Sequence, residues 1–234
     1  MNDKQRLFVI EGMDGAGKAT QTKLLANAKE FQDIIHVMSF PAYDLPTAGP
    51  IKAFLEGHIT HTTVDDRNSF INYIIGMSTF YAVNRAEAFY KSPNTFDKII
   101  VADRYVTSNL LHNGTKLYEK YRDLDLVGLY CDHMEYLEYD VLGLPRPDAV
   151  VYLKIPHETA LANISKRNAT DGAINEGDIN ETTDHLRNVE EVSKYLAETR
   201  KWVTINCTDP DGSMKAPEVI NSAIMYTFNT TYEL

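Results

Sequence analysis

Apolar residues in this chain gather into five short runs, at 7–10, 34–38, 98–102, 149–155 and 202–206. Each run is rich in Val, Ile or aromatic side chains and lies between longer stretches of helical pattern. They read as buried strands, and the strand–helix alternation predicts a parallel sheet with helices on both faces. Residues 67–90 carry Phe70, Ile74, Met77 and Tyr81 at helical spacing with no proline, which predicts one helix of several turns. A second helix is expected over 19–29. Pro41, Pro46 and Pro50 interrupt the segment after the second strand, and a Leu-Gly-Leu-Pro-Arg-Pro segment at 142–147 leads into the fourth. The polar stretch 168–183 lacks apolar periodicity and reads either as a surface loop or as a lid, since long loops in compact domains are often functional. No internal repeat or linker divides the chain, so residues 1–234 are expected to form a single α/β domain.

Composition narrows the picture. The 234 residues are 44% hydrophobic and 24% charged, which suits one globular unit. Acidic residues outnumber basic ones 33 to 23, for a net charge of −10. A polynucleotide-binding surface usually needs a basic surplus, so no nucleic-acid partner is expected. Cys131 and Cys207 have no neighbours at metal-ligand spacing and read as reduced, structural thiols. The first apolar run is too short for a signal segment, and no stretch is long enough to span a membrane. A cytoplasmic location without membrane contact is the expectation.

The strongest chemical signal is Gly12-Met13-Asp14-Gly15-Ala16-Gly17-Lys18-Ala19-Thr20, between the first strand and a helix. A glycine-rich turn there presents backbone N–H groups to phosphate oxygens, and the helix N-terminus adds a favourable dipole. Lys18 is positioned to meet the β- and γ-phosphates of a nucleotide. The usual Ser or Thr after the lysine is Ala19, and the hydroxyl comes one residue later at Thr20. Successive helical residues point about 100° apart, so Thr20 is no simple substitute as a Mg²⁺ ligand. At the carboxyl edge of the third strand stand Asp103 and Arg104, where open α/β sheets bind ligands. Arg104 suits bidentate phosphate contact, and Asp103 suits holding Mg²⁺ through water.

Read together, these segments resemble the thymidylate kinase family. The resemblance rests on FVIEGMDGAGKATQ, SFPAYDLPTAGPIKAFLEG, FYAVNR, VADRYVTSNLLHNGTKL and LGLPRPDAVVYLKI, and runs nearly end to end. It implies a P-loop kinase fold with a five-stranded parallel sheet, and in-line transfer of the γ-phosphoryl of ATP to dTMP with Mg²⁺. It further implies that Asp14 reaches the acceptor 3′-hydroxyl and that Tyr81 stacks on the base. Arg85 would read the base edge and Arg104 approach the acceptor phosphate, with Ser108, Asn109 and Asn113 lining the base and sugar pocket. The family's homodimer would use the apolar residues at 71–75.

The chain departs from the family pattern in three places. Ala42 stands where an arginine follows Phe-Pro, Gly15 where some members carry a catalytic arginine, and the 168–183 segment has no basic residue. Lys166 and Arg167, just before it, are the remaining candidates for the catalytic cation. Two rival readings share these residues: the same fold acting on another nucleotide or nucleoside, and a nucleotide-binding protein with degraded catalysis.

Overall fold

A computed structural model describes residues 5–59, 66–92, 97–171 and 183–234, with the side chains of Asn168, Thr170 and Asp171 outside that description. Its strands are β1 (Arg6–Gly12), β2 (Ile35–Ser39), β3 (Ile99–Asp103), β4 (Ala149–Lys154) and β5 (Val203–Asn206). They form one sheet in the order β2-β3-β1-β4-β5, and every neighbouring pair is parallel. Among the described residues the helices are α1 (Lys18–Ala26), α2 (Ala48–Leu55), α3 (Arg67–Lys91), α4 (Val106–Ser108) and α5 (Gly114–Tyr121). They continue with α6 (Leu124–Glu135), α7 (His157–Asp171), α8 (Thr183–Thr199) and α9 (Pro217–Tyr232). Two π-helical turns, Asn109–Asn113 and Tyr136–Val141, follow α4 and α6 without a break.

The five expected strands are all present, but they are not all buried. Leu7 to Ile10 of β1 and Ile99 to Ala102 of β3 have no exposed surface, because each strand has a neighbour on both sides and helices above and below. Strands β2 and β5 are the sheet edges, and Val37 and Val203 are each 41% exposed. Helices α1 and α9 pack on each other and on the sheet, while α3, α5, α6 and α8 pack together around the first π-turn.

Local chemistry explains the helix ends. Asp66 caps α3 by accepting from Ser69 N at 2.9 Å, and Asp123 caps α6 by accepting from Leu126 N at 2.9 Å. Helix α1 stops at Ala26, short of the expected 29. Asn27 takes the C-cap, and the chain turns so that Phe31 enters the core 5.0 Å from the Phe228 ring. The first four residues of the 168–183 segment extend α7 rather than forming loop, since adding a turn to an existing helix is inexpensive. Residues 172–182 lie outside the described residues, and Thr183 opens α8.

The register sets the site. Asp103 lies level with Ile10 on one side and Ser39 on the other, and Gly12 is level with Leu153. The chain runs from β1 across to β2, returns to β3, and then passes to β4 on the opposite side of β1. Such a reversal opens a crevice at the carboxyl edge of the strands. No helix among the described residues is long and apolar enough to cross a membrane.

Candidate active site

The glycine-rich turn closes at that edge. Gly15 has φ +81° and Gly17 φ +87°, a region that side-chain-bearing residues rarely enter. A Cβ on Gly15 would also fall 2.7 Å from the Ala160 carbonyl oxygen of α7. Residue 15 therefore cannot carry an arginine here, and any catalytic cation must come from elsewhere. Met13 and Ala16 are fully buried beneath the turn, while Ala19 and Thr20 are exposed on α1. Lys18 folds back over the loop and donates to the carbonyl oxygens of Gly12 (2.8 Å) and Met13 (3.0 Å). Its Nζ lies 3.7 Å from Asp14 Oδ1. Burial, seconded by the Arg104 charge, draws its pKa down, and Asp14 opposes them.

A cavity of about 330 Å³ opens beside this turn, within the range of small-ligand sites. Asp14, Tyr81, Arg85, Arg104 and Arg167 all line it, as do Ser108, Asn109 and Asn113. Topology thus brings every expected acceptor residue to one space. Arg104 holds Asp14 through Nη2 and reaches His112 Nε2 through Nη1 at 3.1 Å. Burial pulls the Asp14 carboxyl upward, but Arg104 and Lys18 outweigh it and hold the group well below the usual carboxylate range. The Asp103 carboxyl moves the other way, raised by burial against the pull of Lys18 and Arg104, with Glu11 and Asp14 adding to the rise.

The end of the cavity lined by Tyr81, Arg85, Asn109 and Asn113 is fixed by a buried polar ladder. Arg85 donates to both Glu138 oxygens, Nε and Nη2 each at 2.6 Å, and through Nη1 to the Tyr105 carbonyl at 3.2 Å. Asn109 Nδ2 donates to Glu138 Oε1 (3.0 Å) and to the Ser78 carbonyl (3.1 Å). Both partners are pure acceptors, so the Asn109 amide can face only one way. Asn113 Nδ2 donates to Asn109 Oδ1 at 3.2 Å and to Ser78 Oγ at 3.1 Å. Guanidinium has five N–H groups, and three are committed, so Arg85 keeps two for the cavity. Asn109, with both amide hydrogens used, keeps acceptor capacity on Oδ1. Tyr81 is half-buried at the same end, its ring edge-on to Phe54 at 6.4 Å.

Ser108 lines the cavity as expected and has a second engagement. Its hydroxyl is given to Glu11 Oε2 at 2.6 Å. Thr107 donates to the same oxygen at 2.7 Å, and Glu11 Oε1 accepts from Gly12 N at 2.9 Å. The fully buried Glu11 thus clamps the turn after β3 onto the phosphate loop. Nothing in the sequence beyond the Glu-Gly pair signals this role, and the serine-to-glutamate pairing explains why Ser108 offers less to a ligand. Glu138 and His112 were also not apparent from sequence. Each is recognisable only as the partner of an arginine brought near by folding.

Ala42, where the family carries an arginine, is held by Asn84 through both its N–H (2.8 Å) and its carbonyl (3.1 Å). Tyr43 beside it and Arg167 from α7 face the same cavity. Among the described residues no cluster of three or more His, Cys, Asp or Glu side chains is arranged for a metal. Asp103, half-buried beside Glu11 and Asp14, is a carboxylate whose surroundings would favour a nearby cation.

Comparison with known proteins agrees with this geometry. Residues 10–216 match the family model described as thymidylate kinase. The thymidylate kinase of Mycobacterium tuberculosis is 30% identical over 159 residues, covering 66% of this chain and 68% of that one. That of Desulfotalea psychrophila is 28% identical over 70% of each chain. The solved structure of thymidylate kinase from Candida albicans superposes with a TM-score of 0.68 at 16% identity, covering 98% of this chain and 93% of that one.

Proposed function

The chain belongs to the thymidylate kinase family, and from that premise we propose how its own residues carry out ATP-dependent phosphorylation of dTMP to dTDP. The observation that carries the reading is the hydrogen-bond polarity left open at the base end of the cavity. Arg85 keeps two donors, Asn109 keeps one lone pair on Oδ1 besides the one that accepts from Asn113, and both residues line the cavity. Thymine presents the complement, a carbonyl next to an imide N–H, whereas cytosine presents an amino group next to a bare ring nitrogen. Tyr81 stacks on the base, its ring supported edge-on by Phe54.

The phosphate loop, residues 12–20, seats the polyphosphate of ATP. Lys18 leaves the Gly12 and Met13 carbonyls for the β- and γ-phosphates, and Asp14 leaves Arg104 for the acceptor 3′-hydroxyl. Arg104 then meets the acceptor phosphate. Arg167, facing the same cavity, supplies the cation that residue 15 cannot carry and, with Lys18 and Arg104, neutralises charge spread over the transferring group. The transfer is direct and in line, driven by positioning and charge stabilisation. Asp103 would hold Mg²⁺ through water, with further waters standing in for the hydroxyl that Ala19 lacks. Held there, the ion would supply a positive charge that draws electron density from the nucleotide phosphates.

The buried, free thiols of Cys131 and Cys207 suit a cytoplasmic setting. A homodimer is also proposed; of residues 71–75, Ile74 is only 1% exposed and belongs to the core, while Ile71, Tyr73 and Ile75 are half-buried. Val83 and Tyr90 on α3, with Leu129 on α6 and Tyr136 beyond it, are large, exposed and apolar on neighbouring helices.

A panel of acceptors with ATP and Mg²⁺ tests the reading. Phosphorylation of dTMP should exceed that of dCMP by on the order of 10⁴-fold, the scale for a site whose buried polar groups are left unpaired by the wrong substrate. Equal rates on the two would show that Arg85 and Asn109 do not read the base.

A further inference from the structure

Arg104 leaves β3 with φ +66° and points its guanidinium along the cavity wall, where two protein groups hold it. One is Asp14, a carboxylate. The other is His112, from the first π-turn, whose Nε2 lies 3.1 Å from Arg104 Nη1. Arginine only donates, so Nε2 must be the accepting nitrogen and the ring proton must sit on Nδ1. That nitrogen is buried and finds no hydrogen-bond partner among the described residues. A phenylalanine would fill the space without stranding a polar atom, so the ring's distinct contribution here is the Nε2 lone pair. The other face of the ring is covered by His185 of α8, with centroids 5.9 Å apart and planes 19° from parallel. His185 is itself anchored through Nδ1 to Glu119 Oε1 of α5 at 2.8 Å.

We propose that His112 is a positioning residue for Arg104: through Nε2 its neutral ring keeps the guanidinium aimed at the acceptor phosphate once Asp14 has turned to the sugar. The proposal rests on the reading of Arg104 as the residue that meets the acceptor phosphate. Neutrality is what makes the histidine useful. A carboxylate in its place would compete with the phosphate for the guanidinium, whereas an uncharged acceptor orients Arg104 and leaves its positive charge for the ligand. The groups facing His112 keep it neutral. Burial comes first, then the charge of Arg104, with His185 and Lys18 acting the same way and only Asp14 opposing, so its pKa lies well below the ordinary imidazole value. The His185 stack fixes the ring orientation and thereby connects the aim of Arg104 to the first turn of α8.

Three substitutions separate the nitrogen from the ring. In His112→Gln the side-chain amide oxygen reaches the Nε2 position. In His112→Asn it reaches only the Nδ1 position, and His112→Phe keeps the ring without an acceptor. Steady-state kinetics with ATP and dTMP, with thermal melts to confirm folding, should show KM for dTMP raised about tenfold or more in the Phe and Asn forms, as for a lost hydrogen bond to a charged group. The Gln form should stay within about threefold of wild type, and KM for ATP should hold steady in all three, since the bond removed is on the acceptor side alone. If the Phe form keeps a wild-type KM for dTMP, or the Gln form is as impaired as the Phe form, the proposal is overturned. Should Phe fail to fold, the contrast between Asn and Gln decides on the same terms. Arg104→Ala, assayed in parallel, distinguishes the two levels. A damaged Arg104→Ala beside a normal His112→Phe rejects only the role of His112, and normal kinetics in both rejects the role of Arg104.

Discussion

Single residues carry most of what is unusual in this site, and Ala19 is the plainest case. It starts the second position of α1, exposed, where a hydroxyl would reach the metal. Ala19→Thr restores one inner-sphere oxygen at a helix N-terminus already shaped for it, and no buried contact opposes the change. Activity titrated against free Mg²⁺ should rise at lower concentration in the Thr form, and superimposable curves would show the hydroxyl to be irrelevant. His112 makes a second prediction, on stability. Its folded pKa is depressed, so below the ordinary value of 6.5 the unfolded chain binds a proton that the folded chain refuses. Stability is therefore complete above that pH and lost as pH falls toward the folded pKa, by up to about 1.4 kcal/mol per pH unit for one group. Asp14 does not add to this window, because a lowered carboxylate pKa removes stability only at still lower pH. Melting temperature should decline between pH 6.5 and 5, and His112→Phe should flatten the decline. Parallel slopes in the two forms would contradict the neutral-ring assignment.

At the scale of elements, the two π-turns do what a regular helix would not. The first places Asn109 and Asn113 on the cavity wall, and the second places Glu138 beneath them, so that the ladder from Arg85 to Ser78 joins α3 to both. Widened turns of this kind recur at functional sites. The ladder is also where the fold is most exposed to damage. Arg85 and Glu138 are 2% and 0% exposed, so removing one charge strands the other in the interior. Glu138→Ala should destabilise by about 3–5 kcal/mol, the usual consequence of breaking a buried pair. Denaturant melts measure it directly, and a loss under about 1 kcal/mol would mean that water or another group takes over the guanidinium. Glu138→Gln retains an acceptor and should fall between the two.

For the whole molecule, the exposed apolar side chains on α3 and α6 bear on assembly. Leu129 is 69% exposed and Tyr136 60%, large surfaces to leave in water. Leu129→Glu places a charge in the middle of that surface without touching the core. Sedimentation should shift from dimer toward monomer in this variant, while the melt of the monomer stays close to wild type. A wild type that sediments as a monomer at micromolar concentration would remove the dimer altogether. Acceptor KM in the variant also reports whether assembly steadies α3.

What the sequence by itself determined was whatever is written in consecutive residues. The strand–helix alternation, the run of α3, the phosphate loop and the position of Asp103 and Arg104 at a strand end were all legible. Apolar period and glycine-rich turns act over a few residues, and parallel β-α alternation leaves little choice of sheet. The resemblance of FYAVNR and the DRY segment to thymidylate kinases singled out Tyr81, Arg85 and Asn109, which the fold brings to one cavity. The tertiary structure decided the rest. It made β2 and β5 the edges, which depends on which strands find two neighbours and not on how apolar each one is. It turned Ser108 toward Glu11, 97 residues away, gave Arg85 its Glu138 and Arg104 its Asp14 and His112. It also barred a side chain at Gly15 by laying α7 against the loop, and brought Arg167 of that same helix to the cavity. A buried charge must find its partner in space, and the partner's distance along the chain carries no trace of the pairing.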